Sequence, residues 1–326
     1  MSDQKIHVSI GTVGVLGLAD VPMETAPTTA YLMLGGRCAM NCAFCAQARE
    51  STANALKLSR VTWPEHDFGT VLDGLAVAAR SGAIKRACIQ VTVGRASFER
   101  TLEVVRAVKA RLPDLPVDAA ILPRDMEQAS ALLAAGLDHI GIGLDAGSRE
   151  VFEQVKGRDW GRIWSFIEDL AVTYPGRVAV HIIVGLGETE RDVVEVMQHC
   201  RDLGVTVGLF AFTPLAGTPM GGRPQPRLEV YRRMQAARYL IYERGVRMEN
   251  FRFSPDGELI DFGVDGLTEM LADGEAFRTS GCPDCNRPFY NERPGGVLYN
   301  YPRQLSAEEI AQAIASLGSV VEQGLR

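Results

Sequence analysis

The sequence predicts an α/β fold in which parallel strands alternate with helices around a full or partial barrel. From residue 29 onward, short apolar or β-branched segments alternate with segments of helical periodicity. At least seven such strand candidates are present, which favours a barrel over an open doubly wound sheet. Residues 256–300 instead are rich in Gly, Pro and Asp. We therefore predict an N-terminal extension (1–27), a barrel (28–255) and a C-terminal cysteine-containing elaboration (256–326).

The predicted elements follow one another with short connections. The strand candidates are 29–34, 88–93, 117–122, 139–144, 177–184, 205–212 and 248–254. The helix candidates are 65–81, 98–112, a helix capped by Asp125, 148–156, 160–173, a helix opened by Thr189 at 190–203, and 227–244. The C-terminal segment has a short helical stretch near 266–277 and a final helix at 306–322, which Ser306 and Glu309 begin as a capping box.

Composition excludes several classes of protein. The formal net charge is −6, from 40 acidic and 34 basic residues, so no bulk attraction to nucleic acid is expected. No apolar segment reaches the roughly 18 residues of a membrane-spanning helix, and the first residues lack the layout of a secretory signal. We expect a soluble, cytoplasmic protein without a membrane partner.

Seven cysteines are the main chemical signal, and their odd number argues against a closed disulfide framework. Cys38, Cys42 and Cys45 lie within eight residues, on the loop after the first predicted strand. Three thiolates suit a soft metal or an iron–sulfur cluster and leave one coordination position open for chemistry. The alternative is a structural zinc site that a distant Cys or His completes.

The spacing CxxxCxxC with Phe44 before the last cysteine resembles the signature of the radical S-adenosylmethionine (SAM) enzymes, which have a TIM-type (β/α) barrel. The resemblance implies that Cys38, Cys42 and Cys45 ligate a [4Fe–4S] cluster whose fourth iron is chelated by the methionine part of SAM. Reductive cleavage then yields a 5′-deoxyadenosyl radical that abstracts a hydrogen atom. Phe44 is expected to pack near the adenine.

Three further segments resemble the same family. In HIIVGLGET (181–189) the small Gly185 would let the strand backbone approach the adenine, although His181 replaces the usual first glycine. In GIGLD (141–145) Asp145 would contact the ribose, unless it caps the next helix. PLAGTP (214–219) resembles a stretch common in these barrels, but the usual GGE motif is absent. The amino group of SAM would then meet Thr92 or a carbonyl.

Within this superfamily the chain resembles the biotin synthase and lipoyl synthase branch. Cys88 and Arg252 correspond to two ligands of the second cluster of biotin synthase, but Ile121 and Ile183 lie in the neighbourhoods of its other two cysteines. The C-terminal CxxC, Cys282 and Cys285, lies in a segment that resembles biotin-synthase-like proteins acting in pairs as a two-component lipoyl synthase.

That resemblance implies an auxiliary [4Fe–4S] cluster, ligated by Cys282 and Cys285, with Cys88 the expected third ligand and Ser280 a further candidate. Alternatively, the CxxC forms a zinc knuckle with Cys88 and Cys200, or a surface redox pair.

The implied reaction is sulfur insertion into the octanoyl chain of a lipoyl domain or glycine-cleavage carrier protein. The implied partners are a paired radical SAM subunit and an electron donor such as ferredoxin or flavodoxin. The alternatives are sulfur or methyl transfer to a small molecule, and a non-catalytic iron–sulfur or zinc-binding partner.

Overall fold

The computed structural model describes residues 5–292, 295–318 and 320. Its strands are β1 (Lys5–Val8), β2 (Thr29–Leu34), β3 (Lys57–Leu58), β4 (Val61–Thr62), β5 (Glu65–Asp67), β6 (Arg86–Val91), β7 (Val117–Ala120), β8 (His139–Asp145), β9 (Val178–Val184), β10 (Thr206–Ala211), β11 (Arg252–Phe253) and β12 (Leu259–Asp261). Its α-helices are α1 (Ile10–Val15), α2 (Phe68–Arg80), α3 (Ser97–Arg111), α4 (Met126–Ala134), α5 (Arg149–Lys156), α6 (Trp160–Thr173), α7 (Glu190–Asp202), α8 (Leu228–Glu243), α9 (Leu267–Met270) and α10 (Ala307–Ala315).

Six parallel strands form the body of one eight-stranded sheet, in the order β10-β9-β8-β7-β6-β2-β1-β5. Strands β2, β6, β7, β8, β9 and β10 pair in parallel in chain order, because a helical crossover separates each pair. Strands β10 and β5 are the edges of this sheet. The predicted α/β architecture is confirmed, in the form of a partial barrel.

The register of the sheet places four side chains in one row near the amino-terminal ends of the strands. Tyr31 pairs with Cys88, Cys88 with Asp118, and Asp118 with His139. Side chains two residues further along a strand point to the same face. Those of Met33, Gln90 and Ala120 line the central cavity described below, so this row faces the barrel interior.

The N-terminal extension contributes to the sheet, which the sequence analysis missed. Strand β1 pairs antiparallel with β2 on one side and with β5 on the other. It is followed by α1, whose N-cap Ser9 accepts the backbone N–H of Thr12. Four residues of strand without a neighbouring turn signal carry too little periodicity to be recognised in a sequence.

The seventh predicted strand, 248–254, is not part of the barrel. Residues Met248–Asn250 form a 3₁₀ turn, and β11 pairs only with β12 in a separate antiparallel hairpin. The backbone N–H of Leu259 in this hairpin donates to Glu190 at the start of α7. The apolar alternation around Phe251 is real, but its pairing partner is the hairpin strand that follows it.

The C-terminal segment runs along the barrel from β10 to β2. On β10, Ser280 Oγ accepts the N–H of Leu209 at 3.0 Å, and the Asn291 side chain donates to the carbonyl of Ala211 at 2.8 Å. On the side of β2, Asn286 accepts the N–H of Thr28 at 3.0 Å. Segment 280–291 therefore joins the last parallel strand to the first.

The two predicted C-terminal helices are shorter than expected. The stretch near 266–277 contains α9 and a 3₁₀ turn at Glu275–Phe277. The final helix α10 begins with the predicted capping box of Ser306 and Glu309, and parts of its predicted range, at 319 and 321–322, lie outside the described residues. Within the parts of the chain that the structure describes, no helix is both long and apolar enough to cross a membrane.

Candidate active site

A cavity of about 280 Å³ lies inside the barrel, towards the carboxyl ends of the parallel strands. This is the face on which barrels of this type carry their reactive loops. Most of its lining is apolar, with a few polar and charged side chains among it, as is common in ligand sites. The apolar lining includes Met33, Leu58, Val91, Ile121, Leu122, Phe152, Ile183, Phe210, Phe212 and Leu215.

The loop after β2 carries Cys38, Cys42 and Cys45, and all three line the cavity. Its backbone is tied to the ends of two other elements, because the N–H of Ala39 donates to Val93 at 2.8 Å and that of Ala43 to Val155 at 2.7 Å. The sulfur of Cys38 accepts the N–H of Val93 at 3.2 Å. Backbone hydrogen bonds therefore hold the loop in place, and one backbone N–H points at a cysteine sulfur.

The donor set fits an iron–sulfur cluster with one iron left for a ligand. All seven cysteines are free, and hydrogen bonds to the sulfurs are among the interactions that tune such clusters. Burial raises the pKa of Cys42 to about 11 and that of Cys45 to about 12, so bound iron must displace their protons. Among the described residues, no three His, Cys, Asp or Glu side chains are grouped closely enough to hold a single metal ion. A cluster spreads its ligands over several irons.

Asp145 lines the cavity at the end of β8 and does not cap the following helix. Its backbone is left-handed, with φ of 68°, and its carboxylate pairs with Lys156. The N-cap of α5 is Ser148, whose hydroxyl accepts the N–H of Val151. The capping alternative for Asp145 is therefore wrong, and its contact with a ribose stays a prediction.

Lys156 is a cavity residue that the sequence analysis did not identify. Its ammonium group pairs with Asp145 and also donates to the carbonyl of Gly143. Burial opposes its charge, but Asp145 and the nearby Cys42 outweigh burial and hold the pKa of Lys156 above its usual value. No sequence signal marks it, because a lysine in the last turn of a helix usually serves the helix dipole.

Of the other predicted cofactor-binding residues, Phe44 and Thr92 line the cavity. The hydroxyl of Thr92 donates to the carbonyl of Leu34 at 3.2 Å, so towards a ligand it offers only a lone pair. An amino group is a matching donor. Gly185 is not among the lining residues; it has φ of +104°, and its N–H donates to Glu188 at 2.8 Å.

His181 is a second cavity residue to which the sequence analysis gave no role. It stands on β9 where the family motif has glycine, and its ring meets Phe210 edge-on at 5.4 Å. Burial, together with the charges of Arg287 and Lys156, lowers the pKa of His181 to about 4, against the opposing effect of Asp145. The imidazole is therefore neutral at neutral pH.

The second group of cysteines lies directly behind one wall of the cavity. Cys88 and Cys285 pack with Tyr31, Met33 and Tyr290, and the last two of these also line the cavity. Cys282 lies beside Asp118, the residue that pairs with Cys88 on the neighbouring strand. Burial, and after it the charge of Asp118, raises the pKa of Cys282 to about 12.

Polar groups anchor this second group. Gln90 donates from its side-chain amide to the sulfur of Cys88 at 3.1 Å, and the Tyr31 hydroxyl lies 3.3 Å from the sulfur of Cys285. Arg86 donates to the carbonyl of Pro283 at 3.1 Å and pairs with Asp118 at 2.6 Å. Cys88, Cys282 and Cys285 are thus brought together from positions almost 200 residues apart.

Three residues considered with this group lie elsewhere or are engaged otherwise. Cys200 is fully buried in the hydrophobic core on α7, and burial alone raises its pKa. The side chain of Arg252 is 75% exposed on the separate hairpin. The hydroxyl of Ser280 is used by the backbone of β10.

Comparison with known proteins agrees with this fold. Residues 32–200 match the family model of the Radical SAM superfamily, and the chain belongs to that superfamily. Within it the chain is biotin-synthase-like. The biotin synthase of Desulforudis audaxviator is 29% identical over 257 residues, which cover 76% of this chain and 74% of the relative. That of Halorhodospira halophila is 28% identical over 273 residues, 81% of each chain.

A solved structure shows the same fold. The [FeFe]-hydrogenase maturase HydG superposes with a TM-score of 0.53 at 13% sequence identity, covering 65% of this chain and 49% of HydG. The chain is a radical SAM enzyme, and its family implies a [4Fe–4S] cluster and SAM.

Proposed function

We propose that this enzyme inserts sulfur at an unactivated C–H bond, and that a second iron–sulfur cluster is its sulfur source. The observation that carries the proposal is the presence of two separate groups of three cysteines at one cavity. Cys38, Cys42 and Cys45 line it directly, whereas Cys88, Cys282 and Cys285 lie behind the wall that contains Met33, Gln90 and Tyr290.

Cys38, Cys42 and Cys45 would hold the [4Fe–4S] cluster, which with SAM supplies the 5′-deoxyadenosyl radical. The polar side chains of the cavity would orient SAM. Thr92 would accept a hydrogen bond from its amino group, and Asp145 would accept one from a ribose hydroxyl. Lys156 holds the Asp145 carboxylate in place. The apolar lining excludes water and leaves a reactive carbon radical few competing partners.

Cys88, Cys282 and Cys285 would hold the second cluster, whose chemistry is the supply of sulfide. The alternative of methyl transfer gives these three cysteines no role. A zinc knuckle that includes Cys200 is disfavoured, because Cys200 is buried on α7 among apolar core residues.

The test is a comparison of two cysteine variants after anaerobic reconstitution. Cys282→Ala should still form 5′-deoxyadenosine but transfer no sulfur, because the radical site is intact and the sulfur source is lost. Cys200→Ala removes a buried thiol outside both groups and should retain both activities. Sulfur transfer by Cys282→Ala would refute the proposed sulfur source.

Different observations support two different substrate classes. The names of the relatives support a free small molecule such as the precursor of biotin. The C-terminal CxxC segment supports an octanoyl chain on a lipoyl domain or glycine-cleavage carrier protein. Ile121 and Ile183 on the cavity wall support it as well, because they lie in the neighbourhoods of two cluster cysteines of biotin synthase. A saturated chain also suits the apolar lining.

An assay on both substrates distinguishes these classes, with mass spectrometry to detect added sulfur. For the octanoyl substrate it should be run with and without a second radical SAM subunit, with ferredoxin or flavodoxin as electron donor. Sulfur on the octanoyl chain only in the presence of the second subunit would identify this chain as one half of a pair. Sulfur on the small molecule alone would assign the biotin-synthase-like reaction.

A further inference from the structure

The hydroxyl of Tyr31 lies where the chain leaves the CxxC turn, between the sulfur of Cys285 and the backbone nitrogen of Arg287. Its oxygen is 3.0 Å from the backbone nitrogen of Arg287 and 3.3 Å from the sulfur of Cys285. A backbone N–H can only donate, so the phenol oxygen accepts from Arg287. The single phenol proton is then left for the sulfur of Cys285, which as a thiolate ligand can only accept.

The phenol is aimed by a backbone that is held on both sides. Tyr31 lies in β2, which pairs with β6 on one edge and β1 on the other. Its N–H donates to Thr12 Oγ1 at 3.0 Å, and its carbonyl accepts the N–H of Ser9 at 3.0 Å. Its ring packs with Met33 and Trp63 and is 9% exposed. The hydroxyl therefore has a defined position independent of the cysteine loop.

The loop itself needs such an anchor. Asp284 and Arg287 adopt left-handed backbone conformations, with φ of 60° and 35°, which are costly for residues other than glycine. Conformations of this kind persist where the surroundings hold them. The bond from Arg287 N–H to Tyr31 closes the loop just after Cys285, and Arg86 holds its other side at Pro283.

We propose that Tyr31 is a positioning residue of the auxiliary centre, which donates a hydrogen bond to the sulfur of Cys285 and tunes the reduction potential of the cluster bound there. This inference rests on the proposed function, because it assumes a cluster at Cys88, Cys282 and Cys285. A hydrogen bond to a ligand sulfur stabilises the more negative, reduced cluster. Its loss shifts the potential to a more negative value.

The experiment isolates the auxiliary cluster in the full-length chain by replacing Cys38, Cys42 and Cys45 with Ala. In that background Tyr31→Phe keeps the ring packing and removes only the O–H. An anaerobic redox titration followed by electron paramagnetic resonance should show a more negative midpoint potential and altered g-values, at unchanged iron content. The matched control is Tyr239→Phe, which removes another buried phenol, one that donates to Asp273 at 2.7 Å.

A potential and spectrum identical to those of the background would overturn the inference and leave the proposed function intact. Absence of iron from the background itself would overturn both, and would trace the failure to the auxiliary site. If Tyr31→Phe lowers iron content, the potential is measured on the fraction that retains iron. The shift is expected there too, since a purely structural role would leave the potential of intact clusters unchanged.

Discussion

The sequence analysis assigned no role to two charged or ionisable residues in the cavity, Lys156 and His181, although it did assign roles to their neighbours. The cysteine spacing is a local signal, and so is the GIGLD strand that ends in Asp145. The pairing of Lys156 with Asp145 depends instead on how α5 packs back on the end of β8. The orientation of His181 depends on the strand register, which fixes a face but is not written in any single segment.

His181 predicts a dependence of stability on pH. Its pKa of about 4 in the folded chain, set by burial and by Arg287 and Lys156 against Asp145 and Asp118, lies below its ordinary value. As the pH falls, the unfolded chain takes up a proton at this residue before the folded chain does. Stability is therefore lost on acidification, by about 2 kcal/mol between roughly pH 7 and pH 5 from this group alone.

The measurement is anaerobic urea unfolding at these two pH values. His181→Asn should lose about 2 kcal/mol less than the wild type on acidification. His199→Asn, at a histidine whose side chain is 49% exposed, should follow the wild type. Equal losses in the wild type and in His181→Asn would contradict a neutral, buried imidazole.

At the scale of elements, local signals predicted the helices of the barrel, α2 to α8, well. Asp125 and Thr189 are the N-caps of α4 and α7, and the capping box of α10 is present. These signals act within one turn of helix, so a sequence contains them in full. Strand β1 and the hairpin of β11 and β12 depend on pairing partners, and for them the sequence analysis gave no strand or the wrong sheet.

A buried ion pair joins α7 to α8 and should be costly to break. Arg233 Nε donates to Glu190 at 2.8 Å, and both side chains are less than a tenth exposed, at 6% and 8%. Arg233→Met leaves the carboxylate of Glu190 buried without its charge partner, and should lower the free energy of unfolding by about 3 kcal/mol. Urea unfolding measures this loss.

The matched control is Arg247→Met, which breaks the exposed pair with Asp202, where the side chains are 52% and 46% exposed. Its cost should stay below about 1 kcal/mol. Similar losses for the two variants would show that the contact of α7 with α8 does not depend on this charge pair.

For the whole molecule, the two cysteine groups should load iron independently, because different parts of the chain hold them. The wild type should bind about eight irons after reconstitution. Replacing either Cys38, Cys42 and Cys45, or Cys88, Cys282 and Cys285, with Ala should halve that content. Iron analysis alongside SAM cleavage makes the assignment, since only the second variant should retain cleavage. Loss of all iron in either variant would contradict two separate sites.

The C-terminal segment should be required for folding of the barrel, because it supplies partners to groups buried in the barrel. Arg232 on α8 is 2% exposed, and its guanidinium donates to the carbonyls of Leu298 and Tyr299, both at 2.6 Å. Without that segment, this charge and the edge of β10 lose their partners, and buried polar groups without partners are costly.

A chain that ends at residue 278 should therefore be insoluble or lack near-ultraviolet circular dichroism, even though it retains every strand of the eight-stranded sheet. Co-expression with residues 279–326 as a separate chain provides the control, because the same contacts can then form between two chains. A soluble, cooperatively unfolding truncated chain that binds about four irons would show that the barrel folds alone. The CxxC segment would then be an addition to a complete radical SAM barrel, whereas the contacts of Arg232, Asn291 and Tyr31 make it part of the barrel wall.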